Sequence, residues 1–255
     1  MTLPNEIARI VGDRPYRAED IGRSGSCVLM FEDMVLKIGT ADEAAENECR
    51  ILKWLDGKLA APRVLSCVRE DGRLYLLMTR LVGRMACDAT LLHAEAVSGL
   101  ARGLRALWRV EISDCPVSHT TAERLAAARE RLASGKLDGL TPSTGGSFAA
   151  LLAWLEANCP TEEPVFSHGD YCLPNVFLCE GDAVAFLDLG YAGVSDRWYD
   201  IMMCLWSLRY NFCELGGMGD EEFEAYRVLF FRELGLDANE EKLRYHALLD
   251  EFFQV

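Results

Sequence analysis

The stretch Val165-Phe-Ser-His168-Gly169-Asp170-Tyr-Cys-Leu-Pro174-Asn175-Val-Phe-Leu178, continued by Ala185-Phe-Leu-Asp188-Leu-Gly190, decides how this chain is read. Apolar runs at Asn175–Cys179 and Val184–Leu187 flank Glu180-Gly181-Asp182, which is the pattern of a β-hairpin. A hairpin puts Asn175, where one strand starts, beside Asp188, where the other ends. Asp170 falls in the loop just ahead.

Two oxygen-bearing side chains at the open end of a hairpin suit Mg²⁺. This hard cation takes few protein oxygens and leaves its other positions to water and phosphate. A further carboxylate that the metal does not need can accept a proton from an attacking hydroxyl. Protein kinases divide the labour in this way, with an Asp and, five residues on, an Asn in the catalytic loop; Asp170 and Asn175 stand five apart. Asp beside Gly also caps ordinary turns, so His-Gly-Asp alone says little. His-Gly-Asp, Pro-Asn, a hairpin and Leu-Asp-Leu-Gly occurring together point to this chemistry.

Upstream, Cys27–Phe31 and Met34–Ile38 read as strands joined by a tight turn at Glu32-Asp33. Ala41–Leu55 has helical spacing, with Ile51, Leu52 and Leu55 on one face and acids crowding the first half. Val64–Arg69 and Leu74–Thr79 form a hairpin around Asp71-Gly72. Lys37 ends an otherwise apolar strand, so it either snorkels or points into a cleft. Glu48 on the following helix is its natural partner, with Glu43 and Glu46 also within range. Gly22-Arg23-Ser24-Gly25-Ser26 can present N–H groups to a phosphate, although a plain β-turn reads the same. Leu76–Thr79 reads equally as an adenine edge or as a buried core strand.

Beyond Leu81-Val82-Gly83 the chain turns helical: Ala94–Trp108, Thr121–Ser134, Phe148–Ala157, and from Tyr199 to the end. Leu140–Ser147 is a loop rich in Gly, Ser and Thr. The expected fold class is α+β, a small antiparallel-sheet lobe over residues 1–81 and a larger helical lobe over 82–255, hinged near 78–83.

Composition bounds the rest. No run approaches the ~18 apolar residues that a membrane span needs, and the N-terminus lacks the basic-then-apolar pattern of a secretory signal. The ten cysteines form no Cys-x-x-Cys pair and lie mostly in apolar runs, as reduced packing residues of a cytoplasmic protein do. A net charge of −14, from 26 basic and 40 acidic side chains, repels nucleic acid and anionic lipid and attracts polycations. No obligate protein partner is evident.

With Lys37, Asp170, Asn175 and Asp188 in order, the chain resembles an aminoglycoside 3'-phosphotransferase, a protein-kinase-like antibiotic kinase, over essentially its whole length. Trp54-Leu-Asp-Gly-Lys-Leu, Asp114-Cys-Pro, Asp196-Arg-Trp-Tyr-Asp-Ile and the ending Leu248-Leu-Asp-Glu-Phe-Phe carry the likeness. His-Gly-Asp is shared with choline, fructosamine and macrolide kinases, whereas the Asp-Glu-Phe-Phe ending is not. The resemblance implies ATP-dependent phosphorylation of a hydroxyl, with Asp170 as the catalytic carboxylate and Asn175 and Asp188 as Mg²⁺ ligands. It assigns Lys37 to the ATP phosphates, Glu48 to orienting that lysine, Ser24 to the phosphate edge, and Thr79 and Leu81 to the adenine. Asp250, Glu251 and Phe253 would face the drug's ammonium groups, and His168 would brace the loop. Val35, Tyr191, Tyr210, Asn211 and the Gln254-Val255 extension depart from the family pattern.

Overall fold

The structure, a computed structural model, describes residues 3–19 and 27–253. Its elements run α1 (Asn5–Val11), β1 (Arg17–Glu19), β2 (Cys27–Met30), β3 (Met34–Thr40), α2 (Glu43–Leu55), β4 (Val64–Glu70), β5 (Arg73–Thr79) and β6 (Arg84–Met85). There follow α3 (His93–Leu107), α4 (Thr121–Ala133), α5 (Phe148–Ala157), β7 (Pro164–Ser167), β8 (Val176–Leu178), β9 (Val184–Phe186) and β10 (Gly193–Asp196). The chain closes with α6 (Arg197–Arg209), a π turn (Tyr210–Leu215), α7 (Asp220–Leu234) and α8 (Glu240–Asp250).

The first five strands make one antiparallel sheet in the order β1-β2-β3-β5-β4. Its hairpin turn at Asp71-Gly72 takes positive φ at both residues, +50° and +74°, as the two-residue turn requires. Strand alternation gives the sheet two faces. Met34, Leu36 and Ile38 pack with Ile7 and Val11 of α1 on one of them. Lys37 lies in register with Leu76, and Leu76 with Cys67. That row shares the other face, where Leu76 and Met78 meet Ile51, Leu52 and Leu55 of α2. The α2 helix starts on Asp42, whose side chain accepts from Ala45 N.

Beneath the sheet, α3, α6 and α7 gather around a core running from Leu100 and Leu104 through Phe166 and Phe186 to Phe230, and α4, α5 and α8 around a second one with Leu125, Leu155 and Leu249. A capping box of Thr120 and Glu123 opens α4. Gly235, at φ +72°, ends α7 in the left-handed region that a β-carbon disfavours. The expected α+β arrangement is present, and the segments quoted above meet: Trp54 Nε1 and Lys58 Nζ donate to Asp114 Oδ1 at 3.1 and 3.0 Å. Among the described residues, no helix is long and apolar enough to cross a membrane.

One cysteine expectation is corrected. Cys49 on α2 and Cys67 on β4 are disulfide-bonded, their Cα atoms 6.7 Å apart, and eight others are free. The pair is 18 residues apart in sequence. It becomes neighbourly only because α2 packs on the face of β4 that carries Cys67.

Candidate active site

The expected hairpin is β8 and β9, paired Val176 with Phe186 and Leu178 with Val184. Leu187 N donates to Asn175 O at 2.9 Å, which closes the ladder one step beyond the strands. Asn175 and the residue before Asp188 are thereby held together at the open end. Asp188 itself sits at φ +56°, a left-handed conformation uncommon for a residue with a β-carbon. Its side chain remains 56% exposed.

Asp170 reaches the same place from the loop. Asn175 Nδ2 donates to Asp170 Oδ2 at 2.9 Å and to the Asp170 carbonyl at 3.1 Å. The Asn175 amide nitrogen is thereby committed, which leaves its Oδ1 as the atom free to serve a cation. Burial pushes the Asp170 carboxyl above its ordinary range. The Asn175 bond opposes that shift, and the Asp188 and Asp250 carboxylates add to it. Asp250 is thus within electrostatic reach of the loop.

The loop is fixed from below. Asp200 on α6 is fully buried and accepts from His168 N at 2.7 Å and Gly169 N at 3.0 Å. Burial raises its carboxyl to about 6, against the pull of those two N–H groups. Gly169 has φ +76°, and a β-carbon there would stand 2.0 Å from Tyr191 O, so only glycine fits. His168 is also fully buried, and burial lowers its imidazole to about 4. It is therefore neutral at pH 7, and its Nδ1 accepts from Asp170 N at 3.3 Å, which suits a brace.

Lys37 crosses from the sheet. Its Nζ donates to Glu48 Oε2 at 2.9 Å and to Asp188 Oδ1. Burial alone would lower the Lys37 ammonium, but the two carboxylates hold it above its usual value. Burial holds the Glu48 carboxyl up, with Lys37 pulling the other way. Strand register explains the choice of partner: Lys37 faces α2, and Glu48 lies buried there. Glu46, the rival acid, instead accepts from Arg69 Nη1 at 2.8 Å on the rim.

The remaining expected residues are placed less simply. Thr79 ends β5; its N–H donates to Arg63 O and its Oγ1 accepts from Arg63 N, both at 2.9 Å. Leu81 follows two residues on and is half-buried. Ser24 lies outside the described residues, as does the Gln254-Val255 extension. Asp250 is buried and accepts from Tyr199 Oη at 2.7 Å. Glu251 accepts from the backbone N–H of Ser143, at 2.8 Å, and from its hydroxyl. Phe253 is half-buried, with the Arg131 guanidinium 5.9 Å from its ring centre.

Tyr199 and Asp200 lie within the quoted Asp196-Arg-Trp-Tyr-Asp-Ile without a role read from it, and Asn47, which donates to Gly190 O and Ala192 O, is not singled out by sequence. Asp200 offered a signal, an acid inside the apolar run that leads into Ile201. Asn47 offered none.

A model of the phosphotransferase enzyme family matches residues 22–244. An aminoglycoside 3'-phosphotransferase of Niallia circulans is 33% identical, over 98% of this chain and 97% of its own. The crystal structure of an aminoglycoside 3'-phosphotransferase of type VIII matches with a TM-score of 0.77 at 26% identity, over 98% of both chains. An aminoglycoside phosphotransferase of Streptomyces rimosus, solved in complex with ADP and streptomycin, matches with a TM-score of 0.75. It covers 98% of this chain and 96% of its own, and at 24% identity it speaks for the fold alone.

Proposed function

The chain belongs to the aminoglycoside 3'-phosphotransferases of the phosphotransferase enzyme family, and we propose that it phosphorylates the 3'-hydroxyl of an aminoglycoside with ATP. The observation that carries this reading is the meeting of Asp170, Asn175, Asp188 and Lys37 at one hairpin mouth.

The nucleotide is assigned to the cleft between the sheet-bearing part, residues 1–81, and the helical part, 82–255, with 78–83 as the hinge. Thr79 has its N–H and hydroxyl turned to Arg63, so its carbonyl is the group left for adenine. Leu81 N–H would serve beside it, and Ser24 would lie against the phosphates. Lys37, steadied by Glu48, presents its ammonium to the same phosphates.

Asn175 Oδ1 and an Asp188 oxygen would hold Mg²⁺. The fit is supported by the free Asn175 oxygen and by the ammonium of Lys37, a cation already drawn to Asp188. When bound, the ion supplies charge neutralisation for the phosphates. Asp170 orients the substrate hydroxyl, whose oxygen attacks the γ-phosphorus in line as the bond to the ADP oxygen breaks. The hydroxyl proton passes late to Asp170. Positioning and electrostatics supply most of the acceleration in such transfers.

The acidic chain, at −14, matches a polycation in sign. Asp250, close to Asp170, is assigned to the substrate's ammonium groups, with Glu251 exchanging Ser143 for one of them and Phe253 packing alongside. The need for ATP places the reaction in the cytoplasm.

The test is to incubate the purified protein with Mg-ATP and with kanamycin or tobramycin, which lacks the 3'-hydroxyl, and to weigh the products. Kanamycin gaining one phosphoryl group while tobramycin gains none is the expected result. Phosphorylation of tobramycin would refute the 3' assignment, and modification of neither would refute the substrate class.

A further inference from the structure

Next to Glu48 stands another buried polar side chain that the mechanism leaves unused. Asn47 is 4% exposed, and its Nδ2 donates to Gly190 O at 2.8 Å and to Ala192 O at 3.0 Å. Both partners are carbonyls, which only accept, so the amide nitrogen must be the atom that faces them. Asn47 Oδ1 is buried and has no hydrogen-bond partner among the described residues. A buried amide oxygen without a protein partner is a cost to the fold. The chain bears it to keep two donors at this point.

The two carbonyls belong to the turn that starts at Asp188. Gly190 lets α2 settle onto that turn, because a β-carbon there would stand 3.0 Å from Ala44 O. Two links therefore join α2 to the Asp188 segment. One runs from Glu48 through Lys37 to Asp188, on long side chains that nucleotide phosphates would compete for. The other runs from Asn47 to Gly190 and Ala192, and it is short and buried. Together they close a ring of contacts from α2 through Lys37 to Asp188 and back through the turn to Asn47.

We infer that Asn47 is a positioning residue for phosphoryl transfer: it fixes α2 against the Asp188-Leu-Gly turn, so that Glu48, Lys37 and Asp188 keep their spacing when Lys37 turns to the phosphates. The inference rests on the phosphotransferase reading given above.

Asn47→Leu keeps the volume and removes the donors, and Gly190→Ala presses the same contact from the other side. The test measures kcat, the KM for ATP and for kanamycin, and Tm on purified folded enzyme. In both variants kcat should fall at least about tenfold and the KM for ATP should rise several-fold, as for other supports of a metal-phosphate site. The KM for kanamycin should stay within about twofold. Joining Asn47→Leu to Glu48→Gln should cost less than the product of the single losses, because both break one ring.

A lower Tm with unchanged kcat per folded molecule would overturn the inference, and so would fully multiplicative losses in the double variant. Should Asn47→Leu fail to fold, Asn47→Gln and Gly190→Ala carry the same cycle, with the same two outcomes deciding. Wild-type enzyme that leaves kanamycin unmodified sinks the substrate reading instead. Calorimetric Mg-ATP affinity then decides on Asn47, with weakening in the variant supporting its role and no change ending it.

Discussion

Asn175 gives its amide nitrogen to Asp170, at 2.9 Å on the carboxylate and 3.1 Å on the carbonyl, so the proposed proton acceptor and the proposed metal ligand are held as one unit. Removing the carboxylate should therefore affect turnover and spare the nucleotide. Asp170→Ala is expected to lower kcat by about 10²–10⁴-fold, the usual worth of a positioned base. Its Mg-ATP affinity should remain near that of wild type. Steady-state rates with kanamycin and a calorimetric titration with ATP check the two halves separately.

The pH profile should carry the mark of the same carboxylate. Burial, with Asp188 and Asp250 adding, holds Asp170 above its ordinary range, so it stays protonated to a higher pH than a free aspartate. Only the ionised form can take the hydroxyl proton. Accordingly kcat/KM should fall toward acid, starting above the ~3.9 of an unperturbed Asp. Asp250→Asn removes one of the two like charges and should move that limb to lower pH. A rate profile from pH 4 to 8 for both proteins reads the shift; an unmoved limb would detach Asp250 from the loop.

The fold was legible where signals are local. Asp71-Gly72 announced a hairpin, Glu180-Gly181-Asp182 another, and the 3.6-residue periodicity placed α5 at Phe148–Ala157. The spacing of Asp170, Asn175 and Asp188 could be read because a hairpin turns sequence distance into proximity. What escaped depended on packing between distant segments. The Cys49–Cys67 bond needs α2 to lie on β4, and the Tyr199–Asp250 bond needs α6 and α8 to meet. Glu48 reads as the natural partner of Lys37, but setting aside Glu43 and Glu46 needs the facing of β3, which the sheet order decides.

Lys37 and Glu48 should separate kinetically. Lys37→Ala removes the ammonium from the proposed phosphate site and should lower kcat by about 10²-fold, the scale for losing one preorganised charge donor. Glu48→Gln leaves the ammonium in place but untethers it from α2, since Asp188 becomes its only carboxylate partner of the two. That variant should show the smaller loss in kcat together with a raised KM for ATP. Rates at saturating kanamycin and varied ATP distinguish them, and equal losses would mean that Glu48 does more than orient the lysine.

Asp200 offers a test of stability. Its two acceptor bonds hold His168 N and Gly169 N, so Asp200→Ala leaves the buried His168 N unpaired and Gly169 N with only its longer bond to Ser167 Oγ, at 3.2 Å. An unpaired buried donor costs about 1–3 kcal/mol, and the loop that carries Asp170 loses its support as well. The variant should therefore melt lower and turn over more slowly even where it is folded. Asp200→Asn asks about charge. Burial pushes the folded carboxyl up to about 6 from an ordinary 3.8, so between those values the native state holds a proton that the unfolded chain has released. By linkage, this group's contribution to stability declines as pH rises through that window and is level above it. Denaturation free energies from pH 4 to 7 should show the wild type losing ground relative to Asp200→Asn up to about pH 6, with no further change beyond. Parallel curves for the two proteins across that window would mean that Asp200 is already ionised at pH 4, and that its two N–H bonds outweigh burial.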